Sequence, residues 1–498
     1  MKEIIVIQAG QCGNQIGHRF WEMALNEFNL CHPPPSNDTL SSFFRIVDKR
    51  GVTIKPGAPL HDAKLKCRTL LVDTEEGVLN RLFKSSLQGF FDHSLEVKSN
   101  SGAGNNWAVG YLEYGDEKLD ELNDKIRHIV EECSSPQAFF LMHSLSGGTG
   151  SGLGSRIADE LSSQYDDITS FTCSLLPSFP TLPSSPDSFS SFSSFSSSPS
   201  SLLPSSSSSL VPPSTTAASF TDDVTVSPYN AVLSLSVLLS SVDAVLPMQN
   251  SSLAALSERM MQETKRGKAP LVDAKEKAPY AGMNDIAARL LIDLTSSMRF
   301  GGSLNLDLNE ITTNFIPFAS TKLLSSSLSP FVKDSSALAV TRPSLLFDDV
   351  FAKESQLMNV DPIRHRYLNC GLFMRSSTTD ISEMHSILTK HWKSRVVLPV
   401  WNTSAFKLGI CRFPPPSVHH SLLCLANNTC VRHPLSSLLA RFNILMRRRA
   451  FLHCFLDAGL ELDEMKEAGE SIASVISSYE EFEKQIEIPI PMVPTPLF

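Results

Sequence analysis

Residues 139–154, which run FFLMHSLSGGTGSGLG, constrain the fold more than any other stretch of the chain. The apolar run from Phe139 to Met142 reads as a buried strand, and the Gly/Ser/Thr tract reads as the turn that follows it. From Leu153 to Leu161 the apolar positions recur at helical spacing. Strand, glycine-rich turn and helix together present backbone N–H groups and a helix N-terminus to anionic oxygen. Glycines let the backbone approach a ligand where a Cβ would clash. A tight turn that binds nothing is the competing reading of such a loop. No Lys follows the last glycine, so this is not a Walker A loop, and the spacing is not the GxGxxG that opens a Rossmann unit.

Other segments repeat the strand-then-helix pattern. Ile4 to Ile7 is a short strand, the turn Gly10 to Asn14 follows, and helical spacing begins near Asn14 through Ile16, Phe20, Met23, Ala24 and Phe28. Thr69 to Val72 is a strand ending in Asp73-Thr74-Glu75-Glu76-Gly77. Asp73 and Glu75 at a strand end can hold a hydrated Mg²⁺ through water, and a solvated acidic turn is the alternative. A helix is expected from Asp116 to Glu131, and strands at Ala138 to Met142 and Ser170 to Leu176. Beyond them come a helix from Tyr229 to Ser240, a strand from Ala244 to Met248, and a helix through Met261 that Ser251 can cap. Residues 262–279 read as a loop, Asn284 to Arg299 as a helix, and Leu304 to Ile311 as a loop entering a short helix that ends before Pro317.

Residues 315–430 alternate between strands (Val396 to Val400, Leu408 to Phe413, Leu422 to Ala426) and a helix at Ser382 to Leu388, the pattern of a second α+β domain. Pro434 opens a helix expected over Leu435 to Phe455, from which Arg447-Arg448-Arg449 projects. Apolar positions recur at helical spacing over Glu461 to Lys484. The two helices form a layer whose outer surface either faces a partner or merely covers the core.

The 498-residue chain has no run of eighteen apolar residues and no signal-peptide pattern, so neither a membrane span nor secretion is expected. Its formal charge of −9 disfavours nucleic acid as a partner. Ten Cys without a CxxC pair suit reduced thiols in a cytoplasmic protein. From about Pro177 to Ser219 the composition collapses to Ser and Pro with Phe, Leu and Thr. No period there buries a face, so a disordered surface insertion is expected, and its closure entropy grows only slowly with length. A genuine insertion and a translated intron both account for that tract.

His143 to Gly152 (HSLSGGTGSG) resembles the tubulin signature (G/A)GGTGSG, with Ser146 at its first glycine. Gln8 to Gly17 resembles the first phosphate-side loop of the same family, and Ser101 to Ala108 another nucleotide loop. The resemblance implies a three-layer, Rossmann-like α/β GTPase domain of tubulin type over 1–248. An α+β intermediate domain over 249–430 and a C-terminal helical hairpin layer over 431–498 would follow. It implies GTP or GDP with Mg²⁺. The contacts then fall on Gln11 and Cys12, on Ala103, Gly104 and Asn105, and on Ser144, Gly147, Gly148, Thr149 and Gly150, with Asp73 and Glu75 near the metal. Asp223 follows, then Asn250 and Asn284 at the guanine edge, with Tyr280 stacked on the base. An Asn amide matches guanine's polar edge, and an aromatic face adds about 1–3 kcal/mol. Two departures matter: Ser146 requires a position without positive φ, and Ser227 stands where beta-tubulin has a ribose-binding Glu.

The resemblance also implies hydrolysis only when the next subunit docks, because an acid after the central helix reaches the neighbour's γ-phosphate. Glu310 falls at that position, where alpha-tubulin has Glu and beta-tubulin Lys, with Asp307 one turn before it. Capping of the short helix is the alternative role for both. Ser41 to Arg45, Thr74 to Val78, Val226 to Asn230 and Asn305 to Ile311 look most like epsilon-tubulin, as does the Pro-rich tail without a long Glu run. That branch implies a role in centriole or basal-body assembly and maintenance, with tubulin subunits in head-to-tail and lateral contact and centriolar proteins as partners. A divergent alpha- or delta-type lattice subunit and a non-hydrolysing nucleotide-binding scaffold are the alternatives. The bacterial cell-division relative lacks a helical pair like that at 434–484.

Overall fold

The computed structural model describes residues 2–30, 40–48, 53, 64–179, 224–265, 269–270, 280–300, 304–333, 343–378, 381–392, 396–402, 405–416 and 418–484. Asp223 and all but the first three residues of the Ser/Pro tract lie outside them, as does the tail.

Six parallel strands form the first sheet: β1 (Glu3–Ala9), β2 (Thr69–Asp73), β3 (Glu96–Lys98), β4 (Pro136–Ser144), β5 (Thr169–Leu176) and β6 (Ala244–Gln249), in the spatial order β3-β2-β1-β4-β5-β6. In register, Val6 lies between Thr69 and Phe140. The helices are α1 (Gly10–Leu30), α2 (Tyr114–Glu131), α3 (Gly154–Gln164), α4 (Ser227–Ser241), α5 (Asn250–Lys265) and α6 (Ala281–Leu294). Because strand side chains alternate, Ile4 and Val6 pack with Phe20, Leu256 and Leu290 of α1, α5 and α6. Ile5 and Ile7 pack on the other face with Ile126, Ile157 and Leu235 of α2, α3 and α4. Both faces are covered, which is why the strands read as continuous apolar runs rather than alternating ones.

Beyond α6 the chain forms α7 (Leu308–Phe315) and α8 (Pro343–Phe351). A second, mixed sheet joins β7 (Ser325–Ser329), β8 (Tyr367–Ser376), β9 (Phe406–Cys411) and β10 (His420–Asn428), in the order β7-β10-β8-β9. Finally α9 (Arg432–Arg448) and α10 (Leu462–Lys484) lay Phe442, Met465, Ile472 and Tyr479 into the same core as α4. Among the described residues no helix is long and apolar enough to cross a membrane.

Several boundaries differ from the sequence reading. Helix α1 begins at Gly10, so Gly10 to Asn14 is its first turn rather than a turn before it; Gly10 at φ +72° lets the strand end and the helix start within one residue. Ser251 does not cap α5, which begins one residue earlier; its N–H is instead taken by Ser178 Oγ at 3.0 Å. Val396 to Val400 is not a strand: Val397 makes only an isolated bridge to Arg366, and Pro399 has no N–H to give a ladder. The helix expected over 435–455 breaks after Arg448. Arg449 and Phe451 are left-handed, the Arg449 and Ala450 N–H groups close back on Met446 and Leu445, and a short helix resumes at Leu452–Asp457.

Candidate nucleotide site

Helices α1 and α3 leave neighbouring strands β1 and β4 toward opposite faces of the sheet, so a crevice opens between their starting points. In open α/β sheets that is where ligands bind. The backbone there is tightly drawn in: a Cβ on Gly10 would sit 3.0 Å from the Gly150 nitrogen. Thr149–Leu153 forms a π-helical turn that runs into α3, so the glycine tract is itself the helix start. The first N–H groups of such a turn have no partner within the helix.

Side chains lock the loops together. The Thr74 and Thr149 hydroxyls are 2.5 Å apart, joining the end of β2 to the glycine tract. Asn230 of α4 donates to the carbonyls of Asn105 and Ser146, each at 2.7 Å, and accepts from Trp107 N–H at 3.0 Å. One amide thus fixes two loops against one helix. Beneath the tract, fully buried His143 contacts the Gly150 carbonyl at 2.7 Å and Ser174 Oγ at 2.9 Å. Burial pushes its imidazole down to about 4, so it is neutral at physiological pH. Asn14 bridges the carbonyls of Gly10 and Val72.

The residues singled out from the sequence fall along this crevice, with three exceptions. Gln11 is exposed and Cys12 half-buried on the first turn of α1, and Ser144, Gly147, Gly148, Thr149 and Gly150 line the start of α3. Ala103, Gly104 and Asn105 form the facing loop, where Gly104 and Asn105 are both left-handed and an added Cβ on Gly148 would meet Ala103 at 2.7 Å. Asn250 starts α5 at the end of β6, and Asn284 reaches Gln15 of α1 at 3.5 Å. Tyr280, left-handed and half-exposed, precedes α6. Ser146 is not among the positive-φ residues, so a serine fits where the family has glycine.

A cation suits the acidic end of β2. Asp73 Oδ2 is buried with no hydrogen-bond partner among the described residues. Burial pushes the Asp73 carboxyl up to about 6, with the Glu75 charge adding to the rise. Glu75 is exposed beside it and approaches Gly102. A positive ion would relieve both the orphaned oxygen and the repulsion. Ser227 Oγ is likewise buried and unpartnered among the described residues.

The exceptions are Asp223, which lies outside the described residues, and Asp307 with Glu310, which sit at the opposite end of the strands. Asp307 caps α7 through Leu308 N–H at 2.7 Å and is held by Lys2 and Gln137, at the starts of β1 and β4. Seven residues of extended strand separate Gln137 from Ser144, about 23 Å. Glu310 is exposed, 3.8 Å from Lys407.

Thr74, Asn230, His143 and Asn14 were not picked out from the sequence. Asn230, two residues after the helix-opening Pro228 and followed by an apolar helix, offered a signal, since a buried amide there needs partners.

What the fold and the crevice define is a GTPase-type α/β protein with a mixed β/α region and a helical layer after it. The tubulin/FtsZ-family GTPase domain matches residues 3–188 and the tubulin C-terminal domain residues 321–440. The chain is 34% identical to the tubulin epsilon chains of Mus musculus and Homo sapiens, over 99% of this chain and 99% of each of theirs. It is 30% identical to the tubulin beta-2 chain of Suillus bovinus, over 97% and 96% respectively. The chain belongs to the tubulin family, and it is a GTP-binding member of it.

Proposed function

We propose that this chain is an epsilon-type tubulin that takes GTP or GDP with Mg²⁺ in the crevice between α1 and α3. Its role is in centriole or basal-body assembly and maintenance, beside other tubulin subunits and centriolar proteins. The observation that carries the nucleotide reading is the convergence on one crevice of loops from separate strands, tied by Asn230 and the Thr74–Thr149 pair. In this reading the N–H groups of Gly147 to Gly150, with Ser144, hold phosphate oxygens, and Gln11, Cys12 and Ala103 to Asn105 close the rim. Asn250 and Asn284 face the guanine edge, Tyr280 its ring, and Asp223 the ribose side. Asp73 and Glu75 hold Mg²⁺ through water, and its charge offsets that of the phosphates. The division at 248/249 and 430/431 belongs to the same reading, supported by the two sheets and the helical layer. The epsilon assignment is supported by 34% identity to two epsilon chains, against 30% to a beta chain.

Glu310 is the residue that acts on a neighbour. It stands at the opposite end of the strands from its own crevice, so in a head-to-tail pair it meets the next subunit's nucleotide. An exposed carboxylate there accepts a proton from, or orients, the attacking water. Asp307 is committed to its cap and clamp. The test is the nucleotide released on acid denaturation of purified protein: one guanine nucleotide per chain is expected, and none would overturn the reading. A tagged chain spread along all microtubules rather than at centrioles would overturn the epsilon assignment alone.

A further inference from the structure

Away from the crevice, three elements bring two imidazoles and a carboxylate together. His365 lies just before β8, His433 in the first turn of α9 and Glu483 in the last turn of α10. His365 Nδ1 is 3.1 Å from Glu483 Oε1, and the Thr429 hydroxyl donates to the other oxygen of that carboxylate. With Nδ1–H given to Glu483, the lone pair of His365 is on Nε2. That atom faces His433 Nε2 at 3.2 Å. Two nitrogen ligands at 2.0–2.1 Å from a tetrahedral ion stand about 3.3 Å apart. The pair therefore already has the separation of two ligands on one metal, and the carboxylate behind His365 is the outer-shell partner that metal-bound histidines commonly have.

We propose that His365 and His433 bind a divalent transition-metal cation of the zinc class, with Glu483 as the residue that orients His365. Imidazole nitrogen suits Zn²⁺, Cu²⁺ or Ni²⁺ and is a poor ligand for Mg²⁺, so the site is distinct from the acidic end of β2 in chemistry as well as place. Among the described residues no three His, Cys, Asp or Glu side chains are grouped to hold a metal, so water completes the coordination. His433 is exposed, which leaves those positions open to solvent. The nearby Arg432 guanidinium is turned to Glu480 at 3.9 Å. An ion here pins the start of β8 and the facing ends of α9 and α10 to one another.

Zn²⁺ titration of the full chain by calorimetry, with guanine nucleotide and excess Mg²⁺ present, tests this. A Zn²⁺ site is expected in the wild type, absent from His433→Ala and His365→Ala, and about 10–100-fold weaker in Glu483→Gln. His453→Ala, which removes a separate imidazole 3.4 Å from Cys454, should leave it unchanged. The paramagnetic spectrum of bound Cu²⁺ should show two imidazole nitrogens in the wild type and fewer in His433→Ala. Identical Zn²⁺ binding by the wild type and His433→Ala, or a Cu²⁺ spectrum without the second nitrogen, would overturn the proposal.

Discussion

Arg375 of β8 donates to Glu27 of α1 at 2.7 Å, in the interior, with both side chains 5% exposed or less. The same Arg375 nitrogen reaches Asp293 at 2.8 Å, and Arg299 holds the other Glu27 oxygen at 2.6 Å. Helix α1 starts at the nucleotide crevice and carries Glu27 about 26 Å along its axis to the second sheet. One rigid helix thus links the two regions through a buried charge cluster. Removing one member strands the others, so Arg375→Met should destabilise the protein by about 3–5 kcal/mol, read as a lowered urea midpoint. A midpoint within error of the wild type would show that the cluster carries no such weight.

The crevice depends on an approach that only glycine permits. A Cβ at Gly152 would lie 2.3 Å from the Trp107 carbonyl oxygen and 2.8 Å from Gly110 Cα. Gly152→Ala should therefore push the π-helical turn Thr149–Leu153 away from a second one at Val109–Glu113, destabilising the fold by about 1–3 kcal/mol and weakening nucleotide binding about tenfold or more. Gly77→Ala is the control, because a Cβ there meets nothing within 4 Å. As the second residue of the short helix Glu76–Leu82, Gly77→Ala should leave both binding and stability undiminished.

His143 makes stability depend on pH. Its folded value of about 4 lies below the ordinary 6.5, so between those values the unfolded chain binds the extra proton. Stability is full above pH 6.5 and falls as the pH drops toward 4, by about 2 kcal/mol at pH 5 for this group alone. The Asp73 carboxyl, pushed up to about 6, shifts stability the opposite way over this range, so the comparison is with His143→Asn: between pH 7 and pH 5 in urea unfolding the wild type should lose about 2 kcal/mol more than the variant.

Much of the first sheet was legible because its strands are buried on both faces and its loops carry glycine tracts. The start of α1 was not, since a Gly pair reads as a turn until Gly10 is seen to spend its positive φ on joining strand to helix. Nor was β7: Ser325–Ser329 carries a single apolar residue and so shows no strand pattern, yet every residue is buried. The Ser325 and Ser327 hydroxyls donate to the carbonyls of Ala426 and Val350, so these two serines are satisfied within the core. In the crevice the glycines and strand-end acids showed in the sequence, while Asn230 and His143 did not. Their roles rest on contacts across 84 and 31 positions of chain, which no local pattern encodes.

Asp307 and Glu310 look alike in sequence, and their surroundings predict opposite phenotypes. Asp307 caps α7 and clamps the starts of β1 and β4 through Lys2 and Gln137. Asp307→Ala should lower stability by about 1–2 kcal/mol, the loss typical of an N-cap. Glu310 is exposed, and its ion pair with Lys407 is loose at 3.8 Å. Exposed pairs contribute little, so Glu310→Ala should change stability by less than about 0.5 kcal/mol. If Glu310 acts on the neighbour's nucleotide, however, its loss falls on hydrolysis in mixed assemblies with a nucleotide-loaded partner subunit. Removing a positioned acid or base typically lowers a rate about 10²–10⁴-fold. Phosphate release should drop on that scale for Glu310→Ala in assemblies of equal extent, while its unfolding midpoint stays with the wild type. A rate unchanged by Glu310→Ala would leave the chain a nucleotide-binding scaffold. A midpoint that falls with the rate would mean that Glu310, like Asp307, serves the fold.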